Sequence, residues 1–115
     1  MNAEDHRRQA VLTKAVLNAS TALGLSQEQL STALHGNASS LDADGKATPG
    51  PSAERSLQII QIYQLLYALV GGDGQAMRHW MRTHNRHFDG APICVMQKES
   101  GLDQIALYLG AMQSR

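Results

Sequence analysis

The chain has 115 residues, 43% hydrophobic and 17% charged, and its ten basic side chains are balanced by ten acidic ones. That apolar share can bury a core, which excludes a disordered tail, and the charge balance lacks the basic surplus that nucleic-acid binders usually carry. The single cysteine, Cys94, excludes an intramolecular disulfide and any multi-cysteine zinc site.

The length predicts one domain, or two very small helical units sharing a core. One Trp, one Phe and three Tyr leave that core to Leu, Ile, Val, Ala and Met. The first residues are polar and charged, with no apolar signal core. Gln58, Gln61 and Gln64 interrupt the longest apolar run before it reaches the ~18 residues of a membrane span. These features predict a cytoplasmic protein with no membrane partner.

In chain order, residues 4–23 form the first predicted helix, on the recurrence of Ala10, Val11, Lys14 (through its stem), Ala15, Leu17, Ala22 and Leu23. Gly24 should close it in the left-handed conformation. Ser26 then caps a second helix with Gln29 completing a capping box, and Leu30, Ala33 and Leu34 supply its inner face. This is how a helix-turn-helix opens.

A short third segment, residues 37–45, stands where a recognition helix belongs, and Thr48, Pro49, Gly50 and Pro51 break the chain after it. The expected division is therefore residues 1–50 and 51–115. Ser52 caps a long central helix to Val70 that is apolar nearly all round, which predicts burial on several sides or against a second copy. Gly71 and Gly72 end it. Asp73 caps a helix from Gly74 to about Thr83, Pro92 starts a short one with Ile93, Val95 and Met96, and Ser100 with Asp103 starts the last. Its stripe is Leu102, Ile105, Ala106, Leu109 and Met112. No run alternates at period two, so the fold class is all-α.

Trp80, Asn85, Phe88, Gly90, Pro92, Gly101 and Leu109, in that order behind the long helix, resemble the toxin-binding domain of the Xre/MbcA/ParS antitoxin family. Residues 22–34 resemble the first helices of an Xre-type helix-turn-helix. The resemblance implies a type II antitoxin without cofactor or enzymatic activity. Its partner would be a RES-type, NAD-consuming toxin whose active-site entrance it covers. It would act as a homodimer or a toxin–antitoxin hetero-oligomer, and it would repress its own operon. Trp80, Phe88, Pro92, Leu102 and Leu109 would build the fold. Arg78, Arg82, Asn85, Arg86, Met112, Gln113, Ser114 and Arg115 would face the toxin. Ser39, Ser40 and Lys46 would meet DNA. Asp42 and Asp44 in that segment oppose such contact, and the chain through Leu57 carries five basic residues (Arg7, Arg8, Lys14, Lys46, Arg55) against six acidic (Glu4, Asp5, Glu28, Asp42, Asp44, Glu54).

The residues alone leave alternatives open. Arg78 and Arg82, four apart on one helix, with Arg86 beyond, read equally as a solvated face or as an anionic docking surface, with toxin ahead of DNA. His79, His84 and His87 lack the spacing and the further ligands of a metal site. Cys94, in a short apolar helix, reads as a buried, inert thiol. Gly71 to Gly74 lack the strand and lysine of a phosphate-binding loop and read as a turn. The leading rival is a helix-turn-helix transcriptional regulator without a toxin. An enzyme ranks far below, because no nucleophile with its base and no acid–base pair emerges.

Overall fold

The computed structural model describes residues 3–35 and 53–113. Within them lie six helices: α1 (Ala3–Leu23), α2 (Gln27–His35), α3 (Ala53–Leu69), α4 (Gly74–Arg82), α5 (Pro92–Val95) and α6 (Gly101–Gln113). The described residues contain no strand, only an isolated bridge between Asn85 and Gly90. The expected all-α architecture is therefore the observed one. Ser39, Ser40, Lys46, the rest of the predicted third segment, the Thr48-to-Pro51 break and the Ser52 cap lie outside the described residues, as do Ser114 and Arg115.

The two front helices are defined by their ends. Gly24 sits at φ +85°, and the Gly24 and Leu25 N–H groups donate to the carbonyls of Thr21 and Ser20, the double closure of a Schellman motif. Two residues on, the Gln29 N–H donates to Ser26 Oγ at 3.1 Å and the Ser26 N–H to Gln29 Oε1 at 2.9 Å. The capping box is thus reciprocal, as expected.

The inner face of α1 differs from the expectation. Val16, Ala19, Ser20 and Leu23 are buried, whereas Val11 is 63% and Leu17 48% exposed. The stripe follows the three-and-four spacing that ends on Leu23, and Val11 and Leu17 fall off it. Ser20 tolerates burial because its hydroxyl donates to the Leu17 carbonyl at 2.9 Å. From α2, Leu30, Ala33 and Leu34 complete this side of the core.

Helix α3 packs between α1 and α6. Ser56, Ile59, Ile62 and Leu66 are its buried residues, but Leu57 is 58% and Leu69 39% exposed. The predicted burial nearly all round is therefore confined to the faces touching α1 and α6. Near its start Gln58 bonds the Asp103 carboxylate, and near its end the Leu65 carbonyl accepts from Gln113 Nε2 at 2.6 Å. The two contacts advance together, so α3 and α6 run parallel.

Arg55 fastens three elements. Its Nε donates to the Ala33 carbonyl on α2 at 2.5 Å, and its Nη1 and Nη2 donate to the carbonyls of Glu99 and Lys98 before α6. Burial pulls its pKa below the ordinary guanidinium value, against the opposing pull of Asp103, Glu99 and Glu54.

Gly71 and Gly72, both at positive φ, reverse the chain after α3. Asp73 caps α4, its Oδ1 accepting from the N–H groups of Gln75 and Ala76. Pro92 opens α5. Ser100 does not cap through Asp103 as expected: its hydroxyl accepts from Gln104 Nε2, and Asp103 reaches across to Gln58. The start of α6 is set by sterics instead. A Cβ on Gly101 would lie 1.6 Å from the Val95 carbonyl oxygen, so only glycine lets the α5–α6 turn close this tightly. Leu102, Ile105 and Leu109 then bury completely. No helix among the described residues is long and apolar enough to cross a membrane.

Candidate functional site

The loop after α4 is a closed, self-bonded structure. Asn85 donates its N–H to the Gly90 carbonyl at 2.9 Å and accepts from Gly90 in return. Its side-chain Oδ1 takes the His87 N–H at 2.8 Å. Asp89 adopts φ +56°, a conformation that Asp tolerates better than most residues. The carboxamide oxygen of Asn85 is therefore committed to shaping the loop, leaving Arg86 and His87 exposed at its tip.

That shape delivers an aromatic ledge. Trp80 lies edge-on to Phe88 and stacks on Tyr108 of α6, with ring centroids 6.4 Å apart in each case. His87 packs 4.7 Å from Tyr108 and 5.0 Å from Phe88. Phe88 meets Tyr108 at 5.1 Å. Trp80, Phe88 and Tyr108 are half-buried and His87 is exposed, so four rings hold each other in place while staying partly open to solvent. Beside Tyr108, on the face of α6 turned from the core, Leu107 is 79% exposed, and Met112 follows at 37%. An open groove of about 630 Å³, lined by Val70, Ala76, His79 and Trp80 among others, extends the surface along α4.

The expected toxin-facing residues do not form one patch. Arg86 and Met112 flank the ledge. Gln113 spends its amide on the Leu65 carbonyl and locks the end of α6 instead of projecting. Arg78 and Arg82 lie on the other flank of α4. A Cβ at Gly24 would meet Arg78 Cγ at 3.3 Å and Arg82 Nη2 at 3.5 Å, so both rest on the α1–α2 turn. Trp80 points instead toward α6. The helical repeat makes this unavoidable, because residues 78 and 82 share one side of the buried Met77–Met81 stripe and Trp80 takes the other.

Other polar groups do not converge on chemistry. His84 and Asp89 approach to 3.6 Å, both well exposed. Among the described residues no group of three or more His, Cys, Asp or Glu is gathered to hold a metal. Cys94 is exposed, contrary to its expected burial: in so short a helix Ile93 and Val95 take the inner side and Cys94 the outer.

Tyr108 and Leu107 escaped the sequence reading, as did the clamp at Arg55, and His87 enters it only as a polar or metal-binding group and not as a ring of the ledge. Leu107 carried a usable signal, being a large apolar residue off the α6 stripe. The pairing of His87 with Tyr108 depends on a loop conformation that periodicity does not encode.

Two family models match the chain. One, for the antitoxin Xre/MbcA/ParS C-terminal toxin-binding domain, covers residues 65–115. The other, for the antitoxin Xre-like helix-turn-helix domain, covers residues 3–60. No curated protein matches the chain closely enough to stand beside them. The aromatic ledge, the Asn85 loop and all of α6 fall within the first match.

Proposed function

The chain belongs to the Xre/MbcA/ParS antitoxin family, and from that premise we propose that it silences a RES-type, NAD-consuming toxin by covering the entrance to its active site. The contact is the aromatic ledge with Arg86, Leu107 and Met112, continued by the tail through Gln113, Ser114 and Arg115. Asn85 holds the loop in shape. The observation that supports this most is Leu107, 79% exposed beside a preorganised aromatic surface. A large apolar side chain in that setting marks a surface made to be covered by protein. Arg78 and Arg82 face elsewhere and are left out of this contact. Residues 51–115 perform neutralisation, as a homodimer or within a toxin–antitoxin hetero-oligomer. Residues 1–50 carry the operator-facing part, with Ser39, Ser40 and Lys46 toward DNA.

The test is co-expression with the neighbouring gene, reading growth and cellular NAD. Rescue by the unaltered chain and loss of rescue by Leu107→Asp are expected, with toxin affinity falling about 100-fold as for a central interface residue. Tyr108→Ala should fall in the same direction. Unchanged toxicity with the natural chain would refute the RES assignment. Full rescue by both variants would refute the ledge as the contact.

A further inference from the structure

Further round α4 from Trp80, sharing Gln75 and His79 with the groove beside the ledge, a shallow concavity of about 350 Å³ is lined by Gln75, Arg78, His79 and Arg82. Every lining side chain can donate a hydrogen bond and none is a carboxylate. Among the described residues neither Arg78 nor Arg82 has an ion-pair partner. The nearest carboxylate along the chain, Asp73, is engaged by the two N–H groups at the α4 N-terminus.

The arginine stems are positioned before any ligand arrives. Arg78 threads between two glycines. A Cβ on Gly74 would come within 3.2 Å of Arg78 Nη1, and one on Gly24 within 3.3 Å of its Cγ. Both glycines are therefore what lets the guanidinium lie close to the backbone. A forked donor fixed in this way costs little entropy when it binds an oxyanion.

We propose that this concavity is a seat for a backbone phosphate of DNA, supplied by the C-terminal half to the helix-turn-helix. Position and charge both favour DNA over the toxin. The two arginines lie over Gly24, in the turn leading into α2, whereas Trp80 turns from them toward Tyr108 on α6. The part of the chain through Leu57 carries five basic residues (Arg7, Arg8, Lys14, Lys46, Arg55) against six acidic (Glu4, Asp5, Glu28, Asp42, Asp44, Glu54). With no basic surplus of its own, that part gains from cations brought to it from outside. Arg78 and Arg82 lie against the Gly24 turn of that unit, four residues apart on one helix. Phosphate contacts of this kind set affinity and register without reading sequence. The inference rests on the family's helix-turn-helix unit meeting DNA and is independent of which toxin is bound.

The experiment measures binding of the full chain to two duplexes across a salt series, one carrying the sequence upstream of its own gene and one scrambled. The variant R78Q/R82Q keeps much of each stem over Gly24 while removing both charges. A thermal melt reports whether the fold is kept. Affinity for both duplexes should drop by a similar factor, and the slope of log affinity against log salt should shrink by about 1, the share of one phosphate. R78K/R82K should restore the slope but only part of the affinity, because an ammonium makes one contact where a guanidinium forks two. Neutralisation of the toxin should be unaltered. An unchanged salt slope would overturn the proposal. So would retained DNA affinity with lost toxin binding, which would assign the seat to a carboxylate on the toxin. Absence of DNA binding by the natural chain, alone and with toxin, would overturn it too.

Discussion

The front pair α1–α2 and the back group α4–α6 pack against the same central helix by different means. In front, two local motifs do most of the shaping: the closure at Gly24 and the reciprocal box between Ser26 and Gln29. The residues these helices bury include the small side chains Ala19, Ser20 and Ala33, while Val11 and Leu17 stay in solvent. At the back, local caps matter less than close approach. Gly101 lies against the Val95 carbonyl, Leu102, Ile105 and Leu109 are fully buried, and four aromatic rings brace the loop against α6. The half within the toxin-binding domain match is over-determined in shape. The half carrying the helix-turn-helix match is tuned at its helix ends and fastened from outside by Arg55.

This contrast breaks most sharply at Gly101. Alanine there would drive a Cβ to 1.6 Å from a backbone carbonyl that no side-chain rotation can move aside. The α5–α6 turn must open, and Gly101→Ala should cost about 3 kcal/mol or more, at the upper end of overpacking penalties. The check is chemical denaturation of the full chain, with toxin binding lost in proportion. A loss below roughly 1 kcal/mol would show that the turn has slack and that rigidity is not what the back half provides.

Arg55 sharpens the comparison from the other side. Arg55→Met keeps most of the stem and deletes the donors to Ala33, Glu99 and Lys98. Lys98 and Glu99 are exposed, so water can reach their carbonyls, whereas Ala33 is buried, and the loss should be about 1–3 kcal/mol and not the full cost of three buried acceptors. Hydrogen exchange is the more telling readout. Amides of α2 should open faster, while those of α6 within the Leu102–Leu109 stretch keep their protection. Equal loosening of both would mean that the two halves open as one unit.

Asp73 should matter less. Asp73→Ala removes the acceptor for Gln75 and Ala76 at the start of α4, worth about 1 kcal/mol for a typical cap. Met77 and Met81, buried in the natural chain, do not depend on the cap, so the melting curve should shift without the aromatic ledge losing its near-ultraviolet signal. Loss of that signal would show that the cap, and not core burial, holds α4 in register.

What the sequence made legible follows the same division. Helix ends were readable because their chemistry is local: Gly24, Ser26 with Gln29, Gly71–Gly72, Asp73 and Pro92 each do in the structure what their residue type dictates. The fully buried stripe of α6 was readable because Leu102, Ile105 and Leu109 repeat at helical spacing. The face of α1 was not, because alanines and a serine occupy its inner side and two large apolar residues its outer one. Nor was the division of the arginines. Arg78 and Arg82 are close to Arg86 in sequence, but the closed loop at Asn85 carries Arg86 to the ledge side, and the glycine turn under Arg78 is contributed by another helix. Tertiary approach of that kind leaves no periodic trace.

The smallest effect lies at Cys94, where one residue separates two environments. Ile93 and Val95 on either side are buried to 7% and 3% exposure, and truncation of Ile93 to alanine should cost about 2–4 kcal/mol as a core deletion. Cys94 itself is exposed. Cys94→Ser should stay within about 0.5 kcal/mol of the natural chain, as surface replacements do. A thiol reagent should label the folded protein at a rate that added denaturant hardly raises, since no opening is needed to reach the sulfur. Labelling that required unfolding would place the thiol inside α5's packing and reverse the helix's inner and outer faces, and with them the turn that brings Gly101 onto Val95. A thiol-labelling rate thus tests the same turn that Gly101→Ala attacks, and it does so without perturbing the fold.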